Sequence, residues 1–457
     1  MHDTIARTGD VELLLDGARR AAGRYLGGVD DRDVMPAPAA IAALDGFREP
    51  LPEGSSAALD VIRQLDELGS PATVATTGGR FFGFVVGGAL PVTVAANWLA
   101  TAWDQNAGTW VLSPVAAELE EIAAGWLLDI LDLPRDAAVG FVTGSTMGTF
   151  SAIAAARSAL LKRAGYDVKR RGLTGAPRLR IVASADIHPT NLAALGYAGF
   201  GSDEVEYCPV DDQGRIVPGS LPPLDARTLV LVQAGNINSG ACDPFEAVCA
   251  RARAAGAWVH VDGAFGLWAR ASRRLRPLAA GVELADSWSI DGHKWLNLPQ
   301  DSAIYVCRDR EAVHDTFGVQ ATYLVRDARR QPNCFTPELS RRARGVEFWA
   351  ALKHLGRAGV EELLDGSCAH ARRFAEGLAE AGYEVLNDVV LNQVVFACAH
   401  EADTRAALAR IQASGDCWIG PTHWRGRFAM RVSVSSWATG SQDVERSLVV
   451  MARAMDA

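Results

Sequence analysis

Lysine is scarce in this chain. Only four of its 457 residues are lysines, at positions 162, 169, 294 and 353, although lysine and arginine together number 45. Most positively charged positions are therefore arginines. Arginine cannot replace a lysine that must act as a neutral amine, because the guanidinium keeps its proton. A lysine retained beside apolar residues in such a chain is a candidate for amine chemistry.

Metal-ligand patterns are also lacking. The eight cysteines form no C-x-x-C pair, and no histidines have the spacing of zinc ligands. We therefore expect no metal site. No secretory signal is recognised, so the simplest expectation is reduced, mostly buried thiols in the cytoplasm.

Basic blocks and long apolar runs are missing as well. The net charge is −9 and the arginine pairs are dispersed, which makes nucleic acid an unexpected partner. The most apolar stretch, 84–103, contains Pro91 and Asn97 and ends at Trp103-Asp104. This composition predicts a buried helix rather than a membrane span.

The order of sequence patterns predicts an α/β protein. Residues 11–26 and 57–68 have amphipathic helical patterns without strands of their own. From about 80 to 310, short apolar strands alternate with helices, which favours a mostly parallel sheet. Residues 311–345 show little periodicity and predict a long functional loop. We divide the chain into an N-terminal arm (1–85), a large domain (86–345) and a small α/β domain (346–457).

Lys294 has the sequence context of a reactive amine. It follows a histidine in the segment 287–296, which reads SWSIDGHKWL. A partly desolvated ammonium loses its proton more easily and becomes a nucleophile toward carbonyl carbon. The functional interpretation is a Schiff-base lysine. The alternative is a buried lysine that is paired with Asp286 or Asp291.

Three further features follow strands of the predicted sheet, where α/β folds place ligands. The turn 143–149 joins a strand to a helix and offers Ser145 and Thr146 to an anion, or is only a helix cap. Asp262 ends another strand, where it would keep the ring nitrogen of pyridoxal 5'-phosphate protonated, or would cap a helix. His188 could stack on such a ring, or be an ordinary loop histidine.

Together these residues resemble the group II pyridoxal-phosphate-dependent amino-acid decarboxylases. The family's lysine signature is similar to Ser287-Trp288 followed after five residues by Lys294. Its pyridine-nitrogen aspartate motif resembles residues 261–265, VDGAF, and its ring-stacking histidine segment resembles that of His188. Residues 81–84 and 112–120 are similar to its N-terminal substrate-side segments. The resemblance extends from about 55 to 440.

The resemblance implies fold type I, with a mostly parallel seven-stranded sheet in the large domain, a small C-terminal α/β domain and an obligate homodimer. It also implies residue roles. Lys294 would form the internal aldimine, Asp262 would pair with the pyridine nitrogen, and His188 would stack on the ring. The remaining implied groups are Ser145, Thr146 and His293 at the phosphate, Ala264 on the other ring face, and Phe81, Phe82 and Trp110 in the substrate pocket.

One departure from the family concerns the product. The family's decarboxylases carry a loop tyrosine before a segment like Ser340-Arg341-Arg342, whereas residues 324–342 contain no tyrosine. The nearest aromatic is Phe335, which has no proton to donate and is a further candidate for the substrate pocket. The expected reaction is decarboxylation of an L-amino acid with an apolar or aromatic side chain. The alternatives are decarboxylation with oxidative deamination to an aldehyde, transamination, β-elimination, or a pseudoenzyme that only binds.

Overall fold

A computed structural model describes residues 8–319 and 329–456. Its strands form two sheets, and its helices cover them. The strands are β1 (Ala138–Val142), β2 (Arg180–Ser184), β3 (Val205–Cys208), β4 (Thr228–Gln233), β5 (Trp258–Asp262), β6 (Ser287–Asp291), β7 (Ala303–Cys307), β8 (Glu384–Val385), β9 (Gln393–Ala397), β10 (Gly420–Trp424) and β11 (Arg427–Ser433). The α-helices are α1 (Thr8–Gly27), α2 (Pro38–Ala43), α3 (Ala58–Gln64), α4 (Ser70–Ala72), α5 (Pro91–Trp103), α6 (Pro114–Ile130), α7 (Ser145–Arg163), α8 (Val168–Arg171), α9 (Pro189–Tyr197), α10 (Phe245–Ala255), α11 (Arg310–Phe317), α12 (Gly345–Glu380), α13 (Glu401–Ala413) and α14 (Ser441–Asp456).

The large sheet confirms the predicted fold class. Its seven strands lie in the order β1-β7-β6-β5-β4-β2-β3. Pairings from β3 to β6 are parallel, whereas β7 is antiparallel to both β6 and β1. Strands buried on both faces read as apolar runs, which is why β2, β4 and β5 were predictable from sequence. The carboxyl ends of β5 and β6 are neighbours, so residues that follow these strands come together.

The small sheet lies C-terminal to the large one. Strands β8 to β11 form a four-stranded antiparallel sheet in the order β10-β11-β9-β8, packed against α12 and α14. Two predicted helices, 348–355 and 360–381, form the single element α12, which kinks at Gly356, where φ is +59°. The three-part division at 85 and 345 stays a prediction, and α12 begins at its second boundary.

Two predictions about local structure were wrong. The stretch 84–103 is helical only in α5, and that helix is not buried in the single chain: Trp98, Leu99 and Trp103 are exposed. The segment 311–345 is not one long loop, because α11 occupies its start; residues 320–328 lie outside the described part. Over the described ranges, none of the helices combines the length and hydropathy needed to cross a bilayer.

Side-chain alternation on the two central strands builds the site. Val259, Val261, Trp288 and Ile290 point into the core on one face of the sheet. The intervening residues therefore point to the opposite face, against α7. These are Trp258, His260 and Asp262 on β5, and Ser287, Ser289 and Asp291 on β6. The large sheet thus presents a polar row beneath the N-terminus of α7.

Candidate active site

Lys294 lies in the turn after β6 and pairs with Asp291, the last residue of that strand. Its Nζ is 3.1 Å from Oδ2 of Asp291, whose side chain is nearly inaccessible to solvent. Oδ1 of the same carboxylate accepts a hydrogen bond from the backbone N–H of Ser145 over 2.6 Å. Asp291 therefore connects the candidate Schiff-base lysine to the start of α7. The ion pair considered as an alternative exists, but it lies inside the candidate site.

The turn before α7 lies against His293. A Cβ at Gly144 would be 3.6 Å from Cε1 of His293 and 4.0 Å from Oδ1 of Asp291, so this turn lies next to both side chains. Nδ1 of His293 accepts from the N–H of Ser302 at 3.2 Å, which leaves Nε2 to face the site. Ser145 and Thr146 open the helix at this point. The arrangement suits an anion, because a helix N-terminus offers free N–H groups.

Asp262 ends β5 and is held by two donors. Nδ2 of Asn191 donates to its Oδ2 at 2.6 Å, and the N–H of Ala264 donates to its Oδ1 at 3.1 Å. The carboxylate is largely buried but retains a small exposed fraction. Such a group can accept a further hydrogen bond from a protonated ring nitrogen. Ala264 lies beside it, and its carbonyl accepts from the N–H of Asp291.

His188 begins α9 and lies in the same electrostatic environment. Burial lowers the pKa of its imidazole, and the charge of nearby Asp262 opposes that shift. Lys294 and Arg431 lower the pKa further, so these charges lie close to the ring. Nδ1 of His188 also contacts Oγ1 of Thr190 at 2.7 Å. The histidine is therefore both a helix cap and a neighbour of Asp262 and Lys294.

Sequence reasoning left Asn191, Asp291 and Arg431 out of the site: it named Asp291 only as an alternative ion-pair partner of Lys294 and missed the other two. A sequence signal existed for the first two, since Asn191 lies three residues after His188 and Asp291 lies three residues before Lys294.

Arg431 comes from β11 of the small sheet, and its Nη1 donates to the carbonyl of Ile237 at 2.9 Å. Burial lowers the pKa of Arg431 to about 10, so it remains charged at neutral pH. No local sequence pattern marked this arginine.

Two predicted pocket residues, Phe82 and Phe335, are enclosed in the core, and a third, Trp110, contacts an arginine. Phe82 is fully buried in the small-sheet core, where it packs edge-on against Phe374. Phe335 is buried in the core on the α7 side of the large sheet, and its carbonyl accepts from Oη of Tyr305 at 2.7 Å. Neither side chain is available to a substrate, which contradicts the prediction for both. Trp110 instead stacks against the guanidinium of Arg329.

Phe81 belongs to an aromatic stack near the lysine turn. Trp418 stacks between Phe81 and Phe84, with ring centroids 5.1 and 5.3 Å apart. Phe84 has a φ of +56° and is 66% exposed, an unusual combination for a large apolar residue. Three residues later, a Cβ at Gly87 would overlap the carbonyl oxygen of Lys294. The segment that carries Phe84 therefore runs directly against the lysine turn.

The residues present fit pyridoxal 5'-phosphate. An amine that can form an imine, a carboxylate for the ring nitrogen, an imidazole and an anion cradle come together at the ends of β1, β2, β5 and β6. When bound, this cofactor supplies an electron sink for the charge that builds up at the substrate Cα. Fold and site together define a pyridoxal-phosphate-dependent enzyme of fold type I.

Comparisons with known proteins agree with this class. The family model for the pyridoxal-dependent decarboxylase conserved domain matches residues 51–399. Tryptophan decarboxylase 1 of Oryza sativa subsp. japonica is 28% identical over 425 residues, 84% of this chain and 82% of that protein. The acidic amino acid decarboxylase GADL1 of Mus musculus is 27% identical over 339 residues, 71% of this chain and 61% of that protein.

The fold is shared with a solved relative. The crystal structure of Oryza sativa TDC with PLP and tryptamine superposes with a TM-score of 0.90 and 24% identity, covering 98% of each chain. The protein belongs to the pyridoxal-dependent decarboxylase family and is a carboxy-lyase that uses pyridoxal phosphate. The predicted family, fold class and cofactor are confirmed.

Proposed function

We propose that this enzyme decarboxylates an L-amino acid with an apolar or aromatic side chain at the site around Lys294. The stack of Phe81, Trp418 and Phe84 carries this proposal. Phe84 presents a largely exposed ring on the segment that meets the lysine turn at Gly87, in a backbone conformation that is costly for a side chain of its size. A flat aromatic wall favours apolar and aromatic side chains by offset stacking. The named relative that acts on tryptophan supports the same choice.

In this proposal Lys294 carries the cofactor, Asp262 holds its ring nitrogen protonated, and His188 covers the ring. Ser145, Thr146 and His293 bind the phosphate, and Ala264 contacts the opposite ring face. The contacts of Asp291 with both Lys294 and Ser145 support the placement of amine and phosphate on one side of the cofactor.

Arg431 favours a second substrate class. Its guanidinium is buried, charged and close to His188, and it reaches the site from the small sheet. A cation in that position suits an acidic side chain, as in the relative named for acidic amino acids. A panel of tryptophan, tyrosine, phenylalanine, aspartate, glutamate and cysteine sulfinate separates the two classes by kcat/KM.

Two variants make this test specific. With an aromatic substrate, Phe84→Ala should lower kcat/KM at least tenfold, whereas Arg431→Gln should do so with an acidic one. The exposed Phe47 of the N-terminal arm offers a control, because Phe47→Ala should change neither. A preference for acidic substrates, together with full activity of Phe84→Ala, excludes the aromatic proposal.

For the product, we propose an amine. The argument for an aldehyde named Phe335 as the residue in place of a loop tyrosine, and a side chain buried in the core cannot occupy that place. Oxygen uptake and product mass during turnover, with and without air, test the proposal. Aldehyde and ammonia formed with consumption of oxygen contradict it, and a pyridoxamine product formed with a keto acid indicates transamination.

We also propose a homodimer. Exposed apolar residues on α1, α3 and α5 support it, since large apolar side chains exposed along several helices are typical of a protein–protein interface. These residues are Val11, Leu13, Leu15, Leu59, Val61, Trp98, Leu99 and Trp103. Sedimentation velocity on Leu99→Asp should show dissociation and loss of activity, whereas Val449→Asp on the exposed face of α14 should stay dimeric. An active monomer contradicts the proposal.

A cytoplasmic location is our final proposal. It is supported by the burial of all eight cysteines, which suits reduced thiols in a reducing compartment. Cell fractionation with an antibody to the chain tests it, and recovery with secreted proteins overturns it.

A further inference from the structure

A buried row of polar side chains connects the three elements that carry the proposed cofactor residues. On β5 and β6, Nε1 of Trp258 donates to Oγ of Ser287 at 2.9 Å, and the same hydroxyl lies 3.0 Å from Nδ1 of His260. Nε2 of His260 is 3.4 Å from Oγ1 of Thr149 on α7, which is 3.0 Å from Oγ of Ser289. All five side chains are buried.

We assign the direction of these hydrogen bonds from their one fixed donor, the indole of Trp258. An indole N–H can only donate, so Oγ of Ser287 accepts from Trp258. The hydroxyl hydrogen of Ser287 then has an acceptor in Nδ1 of His260, which leaves the imidazole proton on Nε2. Nε2–H donates to Thr149, whose own hydrogen is directed to Ser289. The result is a one-way chain of donors from the start of β5 to β6 through α7.

Three members of this chain lie close in sequence to residues of the proposed cofactor site. His260 precedes Asp262 by two residues on the same face of β5, and Ser289 stands in the same relation to Asp291 on β6. Thr149 lies one turn after Ser145 on α7. Gly148 permits the close approach of helix and strand, because a Cβ there would lie 3.2 Å from Cβ of Ser289.

We propose that His260 and Thr149 are positioning residues, which fix the phosphate turn of α7 relative to Asp262 and the lysine turn. They act through Ser289 and the two strands, without touching the cofactor. The proposal depends on the cofactor roles assigned above, and it adds a function for buried residues that lie below the site. A neutral imidazole suits this position, since a second charge beneath Asp262 would compete for its carboxylate.

Electrostatics agree with this assignment. Complete burial lowers the pKa of His260 to about 4, against the opposing charge of Asp262. The charge of Asp262 acts on this imidazole, and the hydrogen-bond partners of its two nitrogens are the hydroxyl groups of Ser287 and Thr149. His260 is therefore neutral at the pH at which most enzymes work. A neutral imidazole can accept a hydrogen bond from Ser287 at Nδ1 while it donates one to Thr149 from Nε2.

Thr149→Val tests the proposal with a side chain of nearly the same shape. In the full-length enzyme we expect about a tenfold higher dissociation constant for pyridoxal 5'-phosphate, which corresponds to about 1.4 kcal/mol. The visible absorption band of the bound cofactor should shift or broaden, and kcat should fall more than KM rises. Thr149→Ser keeps the hydroxyl and should restore all three properties.

A second variant and a control separate positioning from general stability. Ser289→Ala removes the final acceptor and should weaken cofactor binding in the same direction, even where Thr149→Val folds poorly. Thr404→Val removes a buried hydroxyl that makes two hydrogen bonds in the small domain. It should lower the melting temperature of the apoenzyme without changing cofactor affinity.

These experiments distinguish a failure of this inference from a failure of the proposed function. An enzyme that binds the cofactor at Lys294, with Thr149→Val and Ser289→Ala at unchanged affinity and spectrum, overturns this inference and leaves the proposed function standing. A parent enzyme without a lysine-linked cofactor overturns the proposed function. Loss of affinity in Thr404→Val equal to that in Thr149→Val also overturns the positioning role.

Discussion

Asn191 donates a hydrogen bond of 2.6 Å to the carboxylate of Asp262, and the same amide nitrogen reaches the carbonyl of His188 at 3.2 Å. One amide therefore holds the start of α9 against the end of β5. This hydrogen bond fixes the position of one carboxylate oxygen of Asp262 and therefore the orientation of the whole group. It also sets the distance between the two residues proposed to face the cofactor ring, one at its nitrogen and one over its plane.

Asp262→Asn should reduce turnover by several orders of magnitude. An amide of the same shape cannot keep a ring nitrogen protonated, and a thousandfold loss corresponds to roughly 4 kcal/mol of transition-state stabilisation. Steady-state kinetics on the purified enzyme measures the effect. The matched control is Asp286→Asn, at the residue that immediately precedes β6, and this variant should keep kcat within a few-fold. Near-normal turnover in Asp262→Asn refutes the assigned role.

Borohydride reduction should attach the cofactor to Lys294 alone. The other three lysines have different surroundings: Nζ of Lys162 pairs with Glu311 and Asp315 at 2.7 Å, and Lys169 donates to the carbonyls of Asp315 and Gly318. Peptide mass spectrometry locates the label. Lys294→Ala should lose it and retain the fold, whereas Lys353→Ala should keep it. A label on any other lysine would contradict the assignment of Lys294 as the cofactor-bearing residue.

The stability of the apoenzyme should fall between pH 6.5 and 4 in part because of His260. Its folded pKa of about 4 lies below the ordinary value of 6.5, so the fold favours the neutral ring. That contribution is present above pH 6.5 and is lost as the pH falls through 4, up to roughly 3 kcal/mol. Urea unfolding at pH 7 and 4.5 should show a smaller pH effect in His260→Gln. The exposed His423→Gln should leave the effect unchanged, and equal slopes in both variants contradict the prediction.

Glu120 should be required for stability. It is fully buried, and its oxygens lie 2.6 Å from Nη2 of Arg341 and 3.3 Å from Nε of Arg330. Glu120→Ala leaves two buried guanidinium groups without this counterion and should cost about 3–5 kcal/mol in unfolding free energy. Its exposed neighbour offers the control: Glu121→Ala should cost less than about 1 kcal/mol. Chemical denaturation compares the two, and equal losses would falsify the role of burial.

The sequence predicted the elements whose interactions are local or periodic. Strands β2, β4 and β5 are apolar runs, and the Lys294 segment carries a specific motif. Strand β6 was not recognised as a strand, because the prediction relied on apolar runs, whereas β6 alternates polar Ser287, Ser289 and Asp291 with apolar residues. This alternation is itself a strand pattern, and it places the polar side chains beneath α7.

The remaining features could not be predicted from the sequence, because they depend on tertiary contacts. Phe82 and Phe84 differ by two residues, yet one is enclosed by the small-sheet core and the other stacks on Trp418 with its ring exposed. Their sequence context gives no means to separate them. Arg431 reaches His188 only because the small sheet packs against the end of the large one. The face of α5 was predicted as buried from its composition, but apolar composition does not reveal whether the covering surface belongs to the same chain.

The pairing of β1 has a consequence for the order in which the protein folds during synthesis. β1 leads into the phosphate turn, and within the described sheet its neighbour is β7, which the ribosome makes long after it. Until residues 303–307 emerge, β1 has no strand beside it, and closing so long a loop is slow. Nascent chains that end before β7 should therefore fail to retain the cofactor, even though they already contain Lys294.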